Sequence, residues 1–72
     1  MTALKQETLS LLTRRQRDVA NAILGGCNTH DDIAKKLCLS KRTVQTHLYY
    51  LYSACAVSGK MEFLRRAQRG EI

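Results

Sequence analysis

The run Thr29-His30-Asp31-Asp32-Ile33-Ala34-Lys35-Lys36-Leu37, then Cys38-Leu39, then Ser40-Lys41-Arg42-Thr43-Val44-Gln45-Thr46-His47-Leu48-Tyr49-Tyr50-Leu51 decides the fold. It reads as two helices meeting at a tight turn. Thr29 and Ser40 each stand where a side-chain oxygen can accept a bond from a first-turn N–H. Asp31 and Asp32 fall in the first turn of the first helix and Lys35 and Lys36 near its end, the charge order that a helix dipole favours. Ile33, Ala34 and Leu37 share one face of that helix, and Val44, Leu48, Leu51 and Cys55 share one face of the next. At about 100° per residue from Val44, Arg42, Thr46, Tyr49 and Ser53 point away from the core, with Gln45 and Tyr50 on the flanks. That outward face holds hydrogen-bond donors, a guanidinium and phenols, and no carboxylate. A short helix, a tight turn and a second helix with a basic, hydrogen-bonding first half form a helix-turn-helix pattern.

Outward from this stretch, the chain is helical throughout. Upstream, Thr13 and Gln16 have capping-box spacing, and Leu12 stands ready to staple onto the helix they open. Val19, Ala20, Ile23 and Leu24 form the apolar stripe, Arg14, Arg15 and Arg17 the basic side, and Gly25-Gly26 the stop. Cys27-Asn28 is a short loop into the central stretch. Downstream, Ala56-Val57-Ser58-Gly59 breaks the second helix, predicted over about 41–54. A last helix from about Lys60 to Arg69 carries Phe63, Leu64 and Ala67 on one side and Arg65, Arg66 and Arg69 toward solvent, with Gly70 placed to end it. Residues 1–11 form a partly ordered lead-in whose Leu4, Leu9 and Leu11, with Leu12 beside them, can make one amphipathic turn on the body; residues 12–72 are the domain.

Composition narrows the function classes. A chain of 72 residues is one small domain with a marginal core, which dimerisation or a partner would support. The net charge of +6 is evenly spread: residues 1–26, 27–57 and 58–72 each carry four Lys or Arg against two Asp or Glu. Positive charge distributed over folded segments suits a polyanionic partner. Three cysteines, an odd count, with no apolar leader ahead of them, point to a reduced, cytoplasmic protein, and no apolar run is long enough to span a membrane. Cys27, His30, Cys38 and His47 match no paired-ligand spacing, so neither a metal nor another cofactor is expected. A chain this short does not build an enzyme-sized pocket around a Cys–His pair. His47, beside the core stripe, is expected to be a buried, hydrogen-bonded structural residue, and Tyr52 part of the core edge.

The residues also resemble a known family. Leu12-Thr13-Arg14-Arg15-Gln16-Arg17-Asp18-Val19 is similar to the opening motif of the LuxR/GerE-type DNA-binding domain. The likeness continues without gaps through Gly26, Ile33-Ala34, Leu37, Ser40, Thr43-Val44, His47 and Val57, over roughly residues 12–68. Bacterial sigma-factor region 4 is similar in its first three helices; His47 and the last helix favour the LuxR/GerE type. The family usually has Glu at Gln16, Arg at Lys60, and Lys-Leu-Gly where this chain has Ala54-Cys55-Ala56; its base-reading face is also richer in Lys and Arg.

The resemblance implies an all-α, four-helix helix-turn-helix domain. It implies a bacterial transcription regulator that binds duplex DNA as a homodimer, with the 41–54 helix in the major groove. It places base contacts at Gln45, Thr46 and Tyr49, and DNA backbone contacts at Thr29, Ser40, Lys41, Arg42 and Thr43. Pairing would run through the last helix, where Met61, Phe63 and Leu64 are candidates for core and dimer contact. With eleven residues ahead of the motif, no sensor domain is visible, and control would come from abundance or a partner. The alternative is an interaction protein of the same fold, using Tyr49 and Tyr50 or the last helix to modulate RNA polymerase or another regulator.

Overall fold

A computed structural model describes residues 4–27 and 29–72. Met1 to Ala3 of the expected lead-in and Asn28 of the expected loop lie outside the described residues. The described chain is all-helical: α1 (Gln6–Leu11), α2 (Arg14–Leu24), α3 (His30–Leu37), α4 (Lys41–Cys55) and α5 (Lys60–Gln68). The four longer helices are those the sequence predicts, each within a residue or so at its ends.

Local chemistry explains where they start. In α2 the Thr13 hydroxyl accepts from Gln16 N–H at 3.2 Å while Gln16 Oε1 accepts from Thr13 N–H at 3.0 Å, a complete capping box. Thr29 Oγ1 accepts from Asp32 N–H at 3.1 Å and Ser40 Oγ from Thr43 N–H at 3.1 Å, so the helices on either side of the turn are each capped as anticipated. The ends of the four longer helices share one device. Gly26, Cys38, Ala56 and Gly70 all take positive φ. At Ala56, Val57 N–H reaches the Tyr52 carbonyl at 3.0 Å and Ala56 N–H the Ser53 carbonyl at 3.2 Å, the paired bonds of a Schellman cap. Glycine holds two of these positions. Cys38 (φ 57°) and Ala56 (φ 56°) hold the others, and they bracket α4 on either side.

α4 is the hub, packing against α2, α3 and α5. Its Val44 and Leu51 are fully enclosed, with Leu48 and Cys55 nearly so, and Val19, Ala20 and Ile23 of α2 and Ile33 and Ala34 of α3 meet them in one core. Phe63 of α5 closes this core from below, its ring 6.0 Å from that of Tyr52. Ala22 is buried where the predicted stripe has only its neighbours, and Leu24, Leu37 and Leu64 stop half-way to the surface.

The lead-in differs in detail. Its helix α1 uses Thr8 as its buried residue, with Leu4 and Leu12 buried on either side and Leu9 half-buried. Leu11 was expected on that apolar face but is 69% exposed, because the spacing Leu4, Thr8, Leu12 already fills the inward side and leaves Leu11 turned outward. Arg17 Nε donates to the Leu9 carbonyl at 2.9 Å, tying α1 onto α2. The chain ends with Ile72 buried and Glu71 facing Arg66 and Arg69 at 3.9 and 3.8 Å.

Candidate nucleic-acid interface

The core stripe fixes which way the rest of α4 points. With Val44, Leu48, Leu51 and Cys55 buried, Lys41, Arg42, Gln45, Thr46, Tyr49, Tyr50 and Ser53 are all exposed. Gln45, Thr46 and Tyr49 therefore lie together on an outward strip of one helix, with Arg42 a turn before them. The Thr46 hydroxyl bonds back to the Arg42 carbonyl at 3.1 Å, which commits its hydrogen and leaves its methyl group and remaining lone pair outward. The Tyr49 and Tyr50 rings meet edge to face at 5.4 Å. The amide of Gln45 makes no hydrogen bond among the described residues, so both its donor and its acceptor are open to a ligand.

The starts of α3 and α4 form a polar rim beside this strip. Lys41 Nζ lies 3.6 Å from Asp31 Oδ1, which brings the first turns of the two helices together. Thr29 and Ser40, the two caps, stand at the same ends. Ser40 Oγ donates to Thr43 Oγ1 at 2.8 Å while accepting the Thr43 N–H. The Thr43 hydroxyl is thereby an acceptor from Ser40 and keeps its own hydrogen for an outside acceptor such as a phosphate oxygen. Arg42 is exposed and has no carboxylate partner among the described residues. The rim thus offers a guanidinium, an ammonium, hydroxyls and the unbonded N–H groups of a helix start, a set suited to anionic oxygens.

The three dimer candidates part company. Phe63 has no exposed surface and belongs to the protomer core, Leu64 is half-buried, and Met61 is 73% exposed. Met61 and Leu64 are the two that reach the surface of α5.

One sequence expectation is corrected here. His47 is half-buried rather than buried, and it makes no hydrogen bond among the described residues. Its place on α4, beside rather than within the Val44-Leu48-Leu51 stripe, puts the ring at the margin of the core. Tyr52 does sit at the core edge, where burial raises the pKa of its phenol; burial likewise raises that of the Cys55 thiol.

Sequence reasoning missed the partner of Lys41. Asp31 was read only as a first-turn charge in its own helix, yet its carboxylate spans Lys41 of α4 and Lys35, one turn on in α3, at 3.6 and 3.8 Å. The i,i+4 spacing of Asp31 and Lys35 is a visible signal. The contact across the turn is not, because it depends on the crossing of the two helices.

The sequence of this fold has known counterparts. The family model described as bacterial regulatory proteins, luxR family, matches residues 10–67. An HTH-type transcriptional regulator of Mycobacterium bovis is 38% identical over 58 residues, which is 81% of this chain and 6% of that protein. The CsgBAC operon transcriptional regulatory protein of Escherichia coli is 36% identical over 53 residues, 74% of this chain and 24% of that protein. The chain therefore spans a quarter or less of the length of these relatives. No solved structure matches it.

Proposed function

Because the chain belongs to the luxR family of bacterial regulatory proteins, whose helix-turn-helix is a DNA-binding module of transcription regulators and not an enzyme, we propose that it lays α4 in the major groove of duplex DNA. The observation that carries this reading is the outward strip of α4: Gln45, Thr46 and Tyr49 exposed together, with the buried stripe opposite holding them in register. Gln45 reads an adenine edge with its amide, and Thr46 and Tyr49 meet base edges or thymine methyls beside it. Lys41, Arg42 and Thr43 hold phosphates, with Thr29 and Ser40 supporting the same backbone at the helix starts. Among the described residues, no helix is long and apolar enough to cross a membrane.

The functional unit we propose is a homodimer paired through α5, with Met61 and Leu64 at the contact and Phe63 backing them from the core. Two copies of α4 then address two half-sites. The test is binding to random duplex DNA at several salt concentrations, followed by selection of the bound sequences. Binding that falls steeply with salt, and an inverted repeat among the selected sites, support both the groove assignment and the dimer. A second reading rests on the exposed Tyr49–Tyr50 pair, 68% and 54% accessible, which suits a protein partner such as RNA polymerase or another regulator. Absence of DNA binding at low salt would favour it.

A further inference from the structure

Asp31 stands in the first turn of α3, where the helix dipole favours an acid, and also beside the first turn of α4. Each of its carboxylate oxygens faces a different ammonium: Oδ1 faces Lys41 at 3.6 Å and Oδ2 faces Lys35 at 3.8 Å. All three side chains are half-exposed or more, Asp31 at 50%, Lys41 at 66% and Lys35 at 78%. Exposed pairs of this kind contribute little to stability. α3 has other means of support: the Thr29 cap, the neighbouring Asp32 for its dipole, and Ile33 and Ala34 in the core. The dipole and the i,i+4 pair with Lys35 account for an acid in this turn, and its reach across to Lys41 sets it against a cation of the rim as well.

We propose that Asp31 is an intramolecular competitor for DNA phosphate, holding Lys41, and with it Lys35, in the free domain so that docking must exchange the carboxylate for a phosphate. This rests on the reading of α4 as the groove helix. A lysine that meets phosphate releases a condensed cation from the DNA. Where that lysine must first leave a carboxylate, the freed Asp31 recruits a cation in return and brings a like charge near the backbone. Both effects lower sequence-independent affinity and flatten its salt dependence. Base recognition by Gln45, Thr46 and Tyr49 is untouched, since none of them contacts Asp31.

The test compares the wild type with Asp31→Asn on a random duplex across a salt series. The variant is expected to bind about threefold to tenfold tighter at low salt. Its salt slope should steepen by roughly one ion per protomer, and the gain should fade as salt rises. Lys41→Gln in the same series closes a double-mutant cycle: with Lys41 absent, the Asp31→Asn gain should fall to half or less. Asp31→Ser provides a second variant should the asparagine disturb the fold. Folded variants that bind no tighter than wild type overturn the proposal, as does a gain that survives intact without Lys41. A merely structural Asp31 would lower the melting temperature and leave the salt slope alone. If neither wild type nor variant binds duplex DNA at low salt, the groove reading itself falls, and this inference with it.

Discussion

Replacing Ala56 with glycine should make this protein more stable. Ala56 sits at φ 56° and ψ 41°, a left-handed conformation that costs an L-residue about 1–2 kcal/mol through the clash of its Cβ. Its methyl group is exposed, so removing it empties no part of the core. Both backbone bonds of the cap, from Val57 and Ala56 N–H, stay in place. Against the relief stands the larger freedom of glycine in the unfolded chain, about 0.4–1 kcal/mol. The balance is a gain of about 0.5–1 kcal/mol. For a domain of this size each kcal/mol moves the melting temperature by about 4–8 °C, so a rise of about 2–8 °C follows. Thermal unfolding followed by far-UV circular dichroism under reducing conditions measures it. The mirror experiment is Gly70→Ala, at φ 74° with open space around the would-be Cβ, where the same backbone term should act with opposite sign. An Ala56→Gly melting temperature equal to or below wild type, alongside a Gly70→Ala that costs nothing, would refute the argument from left-handed strain.

Other outcomes follow from the same geometry. Gln45→Ala should relax sequence preference by about 1–3 kcal/mol at one base position while barely changing the salt slope; equal weakening on every sequence would remove Gln45 from the base-reading set. Arg42→Ala, by contrast, should weaken binding evenly across sequences and reduce the salt slope by about one ion, read from the same titrations. On α5, Met61→Asp should yield folded monomers by analytical ultracentrifugation, whereas Phe63→Ala should lose about 3–5 kcal/mol in urea unfolding because Phe63 fills the core. Alkali should destabilise the fold through Cys55 and Tyr52. Burial raises both pKa values above 9.0 and 10.0, so the unfolded chain ionises first. Their contribution is complete below those ordinary values and is lost as pH climbs through the raised ones. A urea midpoint that stays flat from neutral pH to well above pH 10 would count against their burial.

Much of this was legible in the chain because the signals are local. A cap such as Thr29 or Ser40 bonds an N–H three residues on, and a buried stripe such as Val44, Leu48, Leu51 and Cys55 is a matter of angular spacing. From those two facts the outward strip of α4 follows without tertiary knowledge. What escaped reading depends on contacts between distant segments or on backbone conformations the residue type conceals. α1 has no side-chain cap and only six residues; it is anchored by Arg17 reaching the Leu9 carbonyl, a contact no periodicity reveals. Cys38 and Ala56 take a glycine-like conformation with side chains that do not advertise it. His47 was placed too deep because a residue one step from an apolar stripe can turn either way. Asp31 looked like a helix-start charge until the crossing of α3 and α4 set Lys41 beside it.

The placing of the tyrosines has an optical consequence. The chain has no tryptophan and three tyrosines, so its near-ultraviolet emission comes from Tyr49, Tyr50 and Tyr52 alone. Two of those fluorophores are exposed, Tyr49 on the strip proposed to meet DNA and Tyr50 beside it with its ring against that of Tyr49, and the third is partly shielded against Phe63. Any ligand that covers the strip changes the surroundings of Tyr49 and of the Tyr50 ring that meets it, and leaves Tyr52 as an internal reference. The unlabelled protein thus carries its own spectroscopic report on whether that surface is occupied.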